Sequence, residues 1–488
     1  MFTNFFTKKE ITYIKLIEEA YTNNQIQLSK LNSEFSIETD QIEYEIKKIN
    51  SIITPNYFET TKSSLNLVTV KSENISNIYA NFLKNNIYFN ILEKLFFNSQ
   101  LTIFDLSQEL FLSLSTLKRK LSELRKILSP FNIEIKTRPL RVVGDEKNII
   151  DLYTIYFLEA YPSRPYPFPE AQIDLFIEFY KTIHKDWGKK SQITEIGHDT
   201  TKVLINLYRQ KSGFQYKALP NPEKIHTGLN LSSLSSSEFV NSFKAIFKMD
   251  LTSDIIVRIF SNYLDFPYQF SYQYLMANQK DKVIQEKTIA TEAFLNQLSS
   301  SYSIPIVNKQ DLILEIVNYL SEMEYRKIPT FILNDSSTRF ILENKEISED
   351  FFLNFKHIFE QHIEPIVSVE INIYEIFFRV IINWDHLLYS IILRQPKVNV
   401  GILLNSFTAH SNFIVEQLNL QHSNFANFYP IYVNDSLESI ENYDLILTNI
   451  SDFKTSCKKI IIDMALMDND WVKIANEIRN IRQAKFNN

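Results

Sequence analysis

The chain holds 488 residues with 45% hydrophobic and 22% charged side chains, the balance of a soluble, folded, multidomain protein rather than a disordered one. Its six glycines never lie closer than nine positions apart, so neither G-x-G-x-x-G nor G-x-x-x-x-G-K-[ST] phosphate loops exist in it. The single Cys457 excludes an internal disulfide and any multi-cysteine zinc site, and fits a reducing cytoplasm. The formal charge of -6 is unevenly spread: residues 1–150 carry 19 basic against 17 acidic side chains, and the rest 32 against 40.

Apolar spacing predicts three helices between Lys8 and Ile53, stopped by Pro55, then a short strand at Leu65–Val70. The start of the chain has no basic region leading into an apolar stretch, so no signal peptide is expected. A second set follows: a long helix Asn77–Asn98, a short one Thr102–Leu110, another Leu114–Leu128 stopped by Pro130, then strands Ile133–Lys136 and Leu140–Val143. Helical text dominates from Ile149 to Gln395. A proline-rich boundary lies at Pro162–Pro169, and a serine-rich loop at Leu231–Ser237. Its most apolar stretch, Tyr374–Leu393, contains Arg379, Asp385 and His386 and reads as a buried helix, not a membrane span. After Pro396 short strands (Val398–Leu404, Tyr429–Val433, Asp444–Leu447, Lys459–Asp463) alternate with helices, the grammar of a small α/β domain.

The segment 102–144 has the parts of a winged helix-turn-helix. Thr102 and Ser113 are placed to cap successive helices, and Leu117, Leu121, Leu124 and Leu128 form the inward stripe of the second. Outside that stripe lie Ser115, Thr116, Lys118, Arg119, Lys120 and Ser122, and the following hairpin carries Lys136, Arg138 and Arg141. Within Ser113–Arg141 eight basic residues face only Glu123 and Glu134. Hydroxyls and cations in this arrangement suit a duplex groove and its phosphates, so Ser113, Ser115, Thr116, Lys118, Arg119, Lys120, Ser122, Lys136, Arg138 and Arg141 are the candidate DNA-binding residues. The other reading of the same residues is a solvated charged face on a helical hairpin. The N-terminal set carries Glu38, Asp40, Glu43 and Glu45 instead, and its role is expected to be packing or orientation.

The run Leu106-Ser107-Gln108-Glu109-Leu110-Phe111-Leu112-Ser113, followed by Ser115-Thr116-Leu117-Lys118-Arg119-Lys120-Leu121 and closed by Arg141-Val142-Val143-Gly144-Asp145-Glu146, resembles the DNA-binding unit of the Mga/AtxA family of virulence regulators. The resemblance implies a mainly α, multidomain chain. Residues 1–72 and 73–150 are two (winged) helix-turn-helix domains, 165–283 and 284–395 two phosphotransferase-system regulation domains (PRDs), and 396–488 an α/β domain like an EIIB component. It further implies a cytoplasmic, homodimeric DNA-binding regulator with no cofactor, controlled by histidine phosphorylation from the phosphocarrier protein of the sugar phosphotransferase system. The histidines of these two helical blocks, 165–283 and 284–395, are His184, His198, His226, His357, His362 and His386. His198, near a helix start, and His386, in a D-H-L run, are the candidate phosphorylation sites.

An EIIB enzyme carries a nucleophilic cysteine directly after its first strand, whereas the loop Asn405–His410 has none and Cys457 precedes a later strand. No H-E-x-x-H or G-x-S-x-G constellation points to an enzyme. The alternatives are a phosphotransferase-system component, a PRD-containing RNA-binding antiterminator, or a helical adaptor.

Overall fold

The computed structural model describes residues 3–23, 25–162, 167–186, 193–214, 237–344, 349–394, 396–432 and 440–486. They form two compact units, Met1–Tyr274 with Ser321–Asp335, and Leu275–Leu320 with Ser336–Asn488.

The first unit opens with helices Lys8–Asn23, Leu28–Phe35 and Ile42–Ile53, as the apolar spacing predicts. Around them lies more strand than expected: Gln25–Gln27, Tyr57–Thr60 and Ser64–Val68 make an antiparallel sheet with Ser64–Val68 in the centre. The single long helix expected at Asn77–Asn98 is two, Ile75–Asn85 and Ile87–Phe97. Asn86 breaks it. Its backbone is extended, its carboxamide oxygen accepts from the Tyr88 and Phe89 amides, and its Nδ2 donates 2.8 Å to the Phe5 carbonyl. A buried side chain thus satisfies two helix-start donors and one distant acceptor, which offsets the lost helical bonds.

Helices Ile103–Glu109 and Leu114–Leu128 and the hairpin Ile133–Thr137/Leu140–Gly144 follow almost where the sequence places them. Helix Glu146–Ala160 comes next and is buried on nearly every side, with eleven of its fifteen residues in the core. Tyr156 stacks on Phe89 at 5.0 Å, and Phe89 on Phe5 at 4.7 Å. One hydrophobic core therefore runs through this unit, from Phe5 to Leu333. Helices Glu170–Asp186, Ile193–Lys211, Ser237–Phe247, Ser253–Ile259 and Ser261–Leu264 also belong to it. The loop read at Leu231–Ser237 falls outside the described residues up to Ser236, as do Arg164 and Pro165 of the proline-rich boundary.

The second unit contains helices Lys282–Tyr302, Ser336–Glu343 and Glu349–His362. The helix expected across Tyr374–Leu393 is instead Ile373–Asn383 and Leu387–Arg394, bent by 91°. Asn308 stabilises the break: its Nδ2 donates 2.6 Å to the Asn383 carbonyl and its Oδ1 accepts from the Asp385 amide at 3.2 Å. His386 takes a left-handed φ of 63° at the corner. The stretch is not wholly buried, since Ile382 and Tyr389 are each 55% exposed. Among the described residues no single helix is long and apolar enough to cross a membrane.

The tail is the expected α/β arrangement. Val398–Leu403, Ala426–Pro430, Leu445–Thr448 and Lys458–Ile461 form a parallel sheet in the order second–first–third–fourth, with Val398 opposite Ala426. The second strand thus begins three residues earlier than the expected Tyr429. Helices Thr408–His422 and Asp468–Phe486 supply Ile414, Leu418, Ile474 and Ile478 to the core of this sheet. Gly401 sits where a Cβ would meet Ile431 Cδ1 at 2.6 Å and the Tyr443 ring at 2.8 Å.

Candidate nucleic-acid interface

Both helices of the second helix-turn-helix are capped by the residues expected to do so. Thr102 and Asp105 form a reciprocal capping box, and Ser113 Oγ accepts from the Thr116 amide at 3.1 Å. Between them Phe111 adopts φ 53° and is 95% exposed, the corner of the turn. Leu117, Leu121, Leu124 and Leu128 are all fully buried, each contributing about 1.5–3 kcal/mol relative to exposure. Burying that stripe fixes which side of Leu114–Leu128 faces outward.

The outward side carries Ser113, Ser115, Lys118, Arg119 and Ser122, all exposed, with Thr116 half-buried beside them. The hydroxyls form a chain, Ser113 Oγ lying 2.9 Å from both Ser115 Oγ and Thr116 Oγ1. Arg119 is 69% exposed, and its Nε is 4.0 Å from Glu123. Lys120 differs. Its side chain is 24% exposed, donates 2.9 Å to Glu123 and 3.2 Å to the Tyr88 hydroxyl, and lies 5.0 Å from the Tyr88 ring centre. The hydrogen bond to Glu123 raises the Lys120 ammonium above its ordinary value, and bonds from Tyr88 and Lys120 lower the Glu123 carboxyl. Lys120 therefore ties the helix to its own domain.

On the hairpin Lys136 and Arg138 are exposed, while Arg141 is half-buried with its guanidinium 5.9 Å from the Phe214 ring. Lys136 and Arg141 are register partners on adjacent strands, and like charges directly opposite are unfavourable. Arg125, which sequence reasoning did not single out, donates from Nε to the Ile135 carbonyl at 2.8 Å and joins helix to hairpin. Nothing in its spacing distinguishes it from a solvent-facing cation. Gly144 closes the hairpin at φ 137°, where any Cβ would stand 2.0 Å from the Asn132 carbonyl oxygen.

The N-terminal helices Leu28–Phe35 and Ile42–Ile53 present a different surface. Glu38, Asp40 and Glu43 are exposed, but Glu45, expected alongside them, is buried. Burial would raise its carboxyl, but hydrogen bonds from Lys9 (2.6 Å) and Tyr13 hold it lowered. The helix periodicity that buries Ile46 and Ile49 carries Glu45 inward with them.

His198 is the sixth residue of Ile193–Lys211, beyond the four open amides of a helix start, so the helix-terminus argument for it does not hold. Its ring is 44% exposed, with Nδ1 3.8 Å from Asp199. On the buried side of Asp199, His184 Nε2 lies 3.3 Å away and the Tyr263 hydroxyl donates to it at 2.7 Å. His386 is exposed at the 91° bend, and His357 is exposed on its helix. His362 bonds Gln297 at 2.5 Å, and His226 falls outside the described residues. In the tail, His410 Nδ1 is 2.8 Å from Ser406, and the half-buried Cys457 packs among Ile431, Ile440 and Ile446.

A short helix, a tight turn, a leucine-backed second helix and a two-stranded hairpin define a winged helix-turn-helix. Residues 71–157 match the Mga helix-turn-helix domain, which bears out the resemblance read from residues 106–121. The chain is similar along most of its length to a putative trans-acting regulator of Streptococcus pneumoniae, with 22% identity over 91% of this chain and 92% of that protein. The Bacillus anthracis capsule synthesis positive regulators AcpA and AcpB are similar over shorter stretches. AcpA is 27% identical over 39% of this chain and 40% of its own length, and AcpB 21% over 50% and 51%.

Proposed function

We propose that this chain is a DNA-binding transcriptional regulator of the Mga/AtxA kind, that it binds duplex DNA through the second helix-turn-helix, and that it acts in the cytoplasm. The observation that carries this reading is the outward side of Leu114–Leu128, where Ser115, Lys118, Arg119 and Ser122 stand exposed, together with the exposed Lys136 and Arg138 of the hairpin that Arg125 ties to this helix. Hydroxyls and a solvent-exposed guanidinium near the N-terminal half of such a helix can read base edges, and the flanking lysines can neutralise phosphates. The first helix-turn-helix, with Glu38, Asp40 and Glu43 outermost, orients rather than reads.

Regulation in this reading acts through the helical blocks, as PRD-like domains, with phosphate accepted from the phosphocarrier protein at His198 and His386, both of which the solvent reaches. A phosphoryl group adds charge and acceptor oxygens, enough to reorganise an interface. Two copies match two half-sites of an operator, and the α/β tail contributes to that pairing. The name of AcpA as a positive regulator supports a role in controlling gene expression rather than in catalysis.

The test is fluorescence anisotropy of duplex DNA against the intact chain over a series of salt concentrations. A linear fall of log affinity with log salt, with a slope reduced by Lys118→Ala, supports the reading. Salt-independent or absent binding overturns it.

A further inference from the structure

The hairpin Ile133–Thr137/Leu140–Gly144 has only two strands, and such a pair is marginal unless something holds it. Ile135 and Val142 face each other across it, and an arginine grips each of their carbonyls from opposite edges. Arg125 of helix Leu114–Leu128, the proposed reading helix, bonds the Ile135 carbonyl at 2.8 Å. Arg209 reaches the Val142 carbonyl with both terminal nitrogens at 3.2 Å. Arg209 is 3% exposed and held rigidly: Nε and Nη2 each bond Glu146 at 2.7 Å, and the guanidinium lies 3.6 Å from the Phe214 ring centre.

Arg125 belongs to the DNA-binding unit itself, but Arg209 comes from helix Ile193–Lys211. The same helix bears His198 and Asp199, and its Lys202 bonds Asp151 at 3.1 Å and Asp265 at 3.0 Å. One helix of the first helical block therefore fixes one edge of the wing.

We propose that Arg209 is the positioning residue of the wing, setting where Lys136 and Arg138 meet the DNA backbone and linking the helical block to DNA affinity. The inference rests on the proposed DNA binding. Arg209 touches no nucleic acid; it acts through the Val142 carbonyl and Glu146. A displacement of helix Ile193–Lys211 moves the wing cations relative to the reading helix, whose own contacts stay in place.

The test uses the full chain and the salt slope of duplex affinity, a property of bound protein that loss of folded material does not change. Lys136→Ala/Arg138→Ala is expected to reduce the slope by about 2, close to one unit for each phosphate that is no longer neutralised. The pair Arg209→Met/Glu146→Gln leaves net charge unaltered, so it tests position rather than charge. It is expected to reduce the slope by the same amount, and the fourfold combination to reduce it no further. Arg209→Lys, which keeps the cation near Glu146 but loses the fork, is expected to fall between. An unchanged slope in both Arg209 variants, or effects that add to those of the wing pair, overturns the inference while leaving DNA binding standing. Loss of salt dependence in the unaltered chain overturns the underlying reading and the inference with it.

Discussion

Lys120 donates to Glu123 at 2.9 Å, one helical turn from Arg119, whose guanidinium stands mostly in solvent. Adjacent cations on one helix are thereby divided between two tasks. Lys120 anchors the helix through Glu123 and Tyr88, whereas Arg119 and Lys118 stay exposed and, in the proposed reading, meet the DNA.

Arg119→Ala is accordingly expected to weaken duplex binding by about five- to a hundredfold and to relax sequence preference at one position, read by anisotropy against a panel of duplexes. Lys118→Ala is expected to weaken all sequences alike and reduce the salt slope by about 1. Lys120→Ala is expected to leave the slope unchanged and lower stability instead, measured by urea unfolding.

Ser113→Ala removes the hydroxyl that receives the Thr116 amide, and a lost N-cap of this kind costs about 1 kcal/mol. Gly144→Ala is expected to cost more, because the new methyl group meets the Asn132 carbonyl and the backbone stays at φ 137°. Urea midpoints of both variants, with far-ultraviolet dichroism as the probe, give the order.

Lys202 stands buried between Asp151 and Asp265 at 3.1 and 3.0 Å. Burial alone would lower its ammonium, but the two carboxylates hold it raised and charged. Lys202→Met leaves two buried carboxylates facing each other and is expected to destabilise the first unit by about 3–5 kcal/mol. Asp151→Asn/Lys202→Met is expected to recover part of that loss in the same denaturation assay, and a double variant no more stable than the single one contradicts the pairing.

Asp199 gives a pH dependence. Burial raises its carboxyl, yet contacts from His184, His198 and Tyr263 outweigh burial and leave it well below the ordinary aspartate range. A carboxyl lowered by folding stabilises the fold above its unfolded value, near 3.9, and that contribution is lost as pH falls toward its folded value. Urea stability measured below about pH 4 is therefore expected to fall less steeply with acid in Asp199→Asn than in the unaltered chain. Identical acid limbs contradict this account.

The local parts of the interface were legible in the sequence because they obey short-range rules. Leucines at 117, 121, 124 and 128 dictate a stripe, Thr102 and Ser113 dictate caps, and Arg138-Pro139 marks the hairpin tip. What escaped depends on partners far along the chain. Asn86 ends a helix because Phe5 needs a donor, and the bend after Asn383 exists because Asn308 bonds both its sides. The short polar strand Gln25–Gln27 has no pattern of its own and forms because Ser64–Val68 offers it an edge. Glu45 shares the helix face of Ile46 and Ile49, but the partners that let a carboxylate stay there, Lys9 and Tyr13, lie more than thirty residues away, as Tyr88 does from Lys120.

Tethered cleavage compares the two helix-turn-helix units directly. An iron chelate is attached at Lys126→Cys on helix Leu114–Leu128 or at Glu43→Cys on helix Ile42–Ile53, each with Cys457→Ser, and the bound duplex is mapped for strand breaks. The account predicts focused cleavage within a major groove from position 126 and little from position 43. Focused cleavage from position 43 with none from 126 would contradict it.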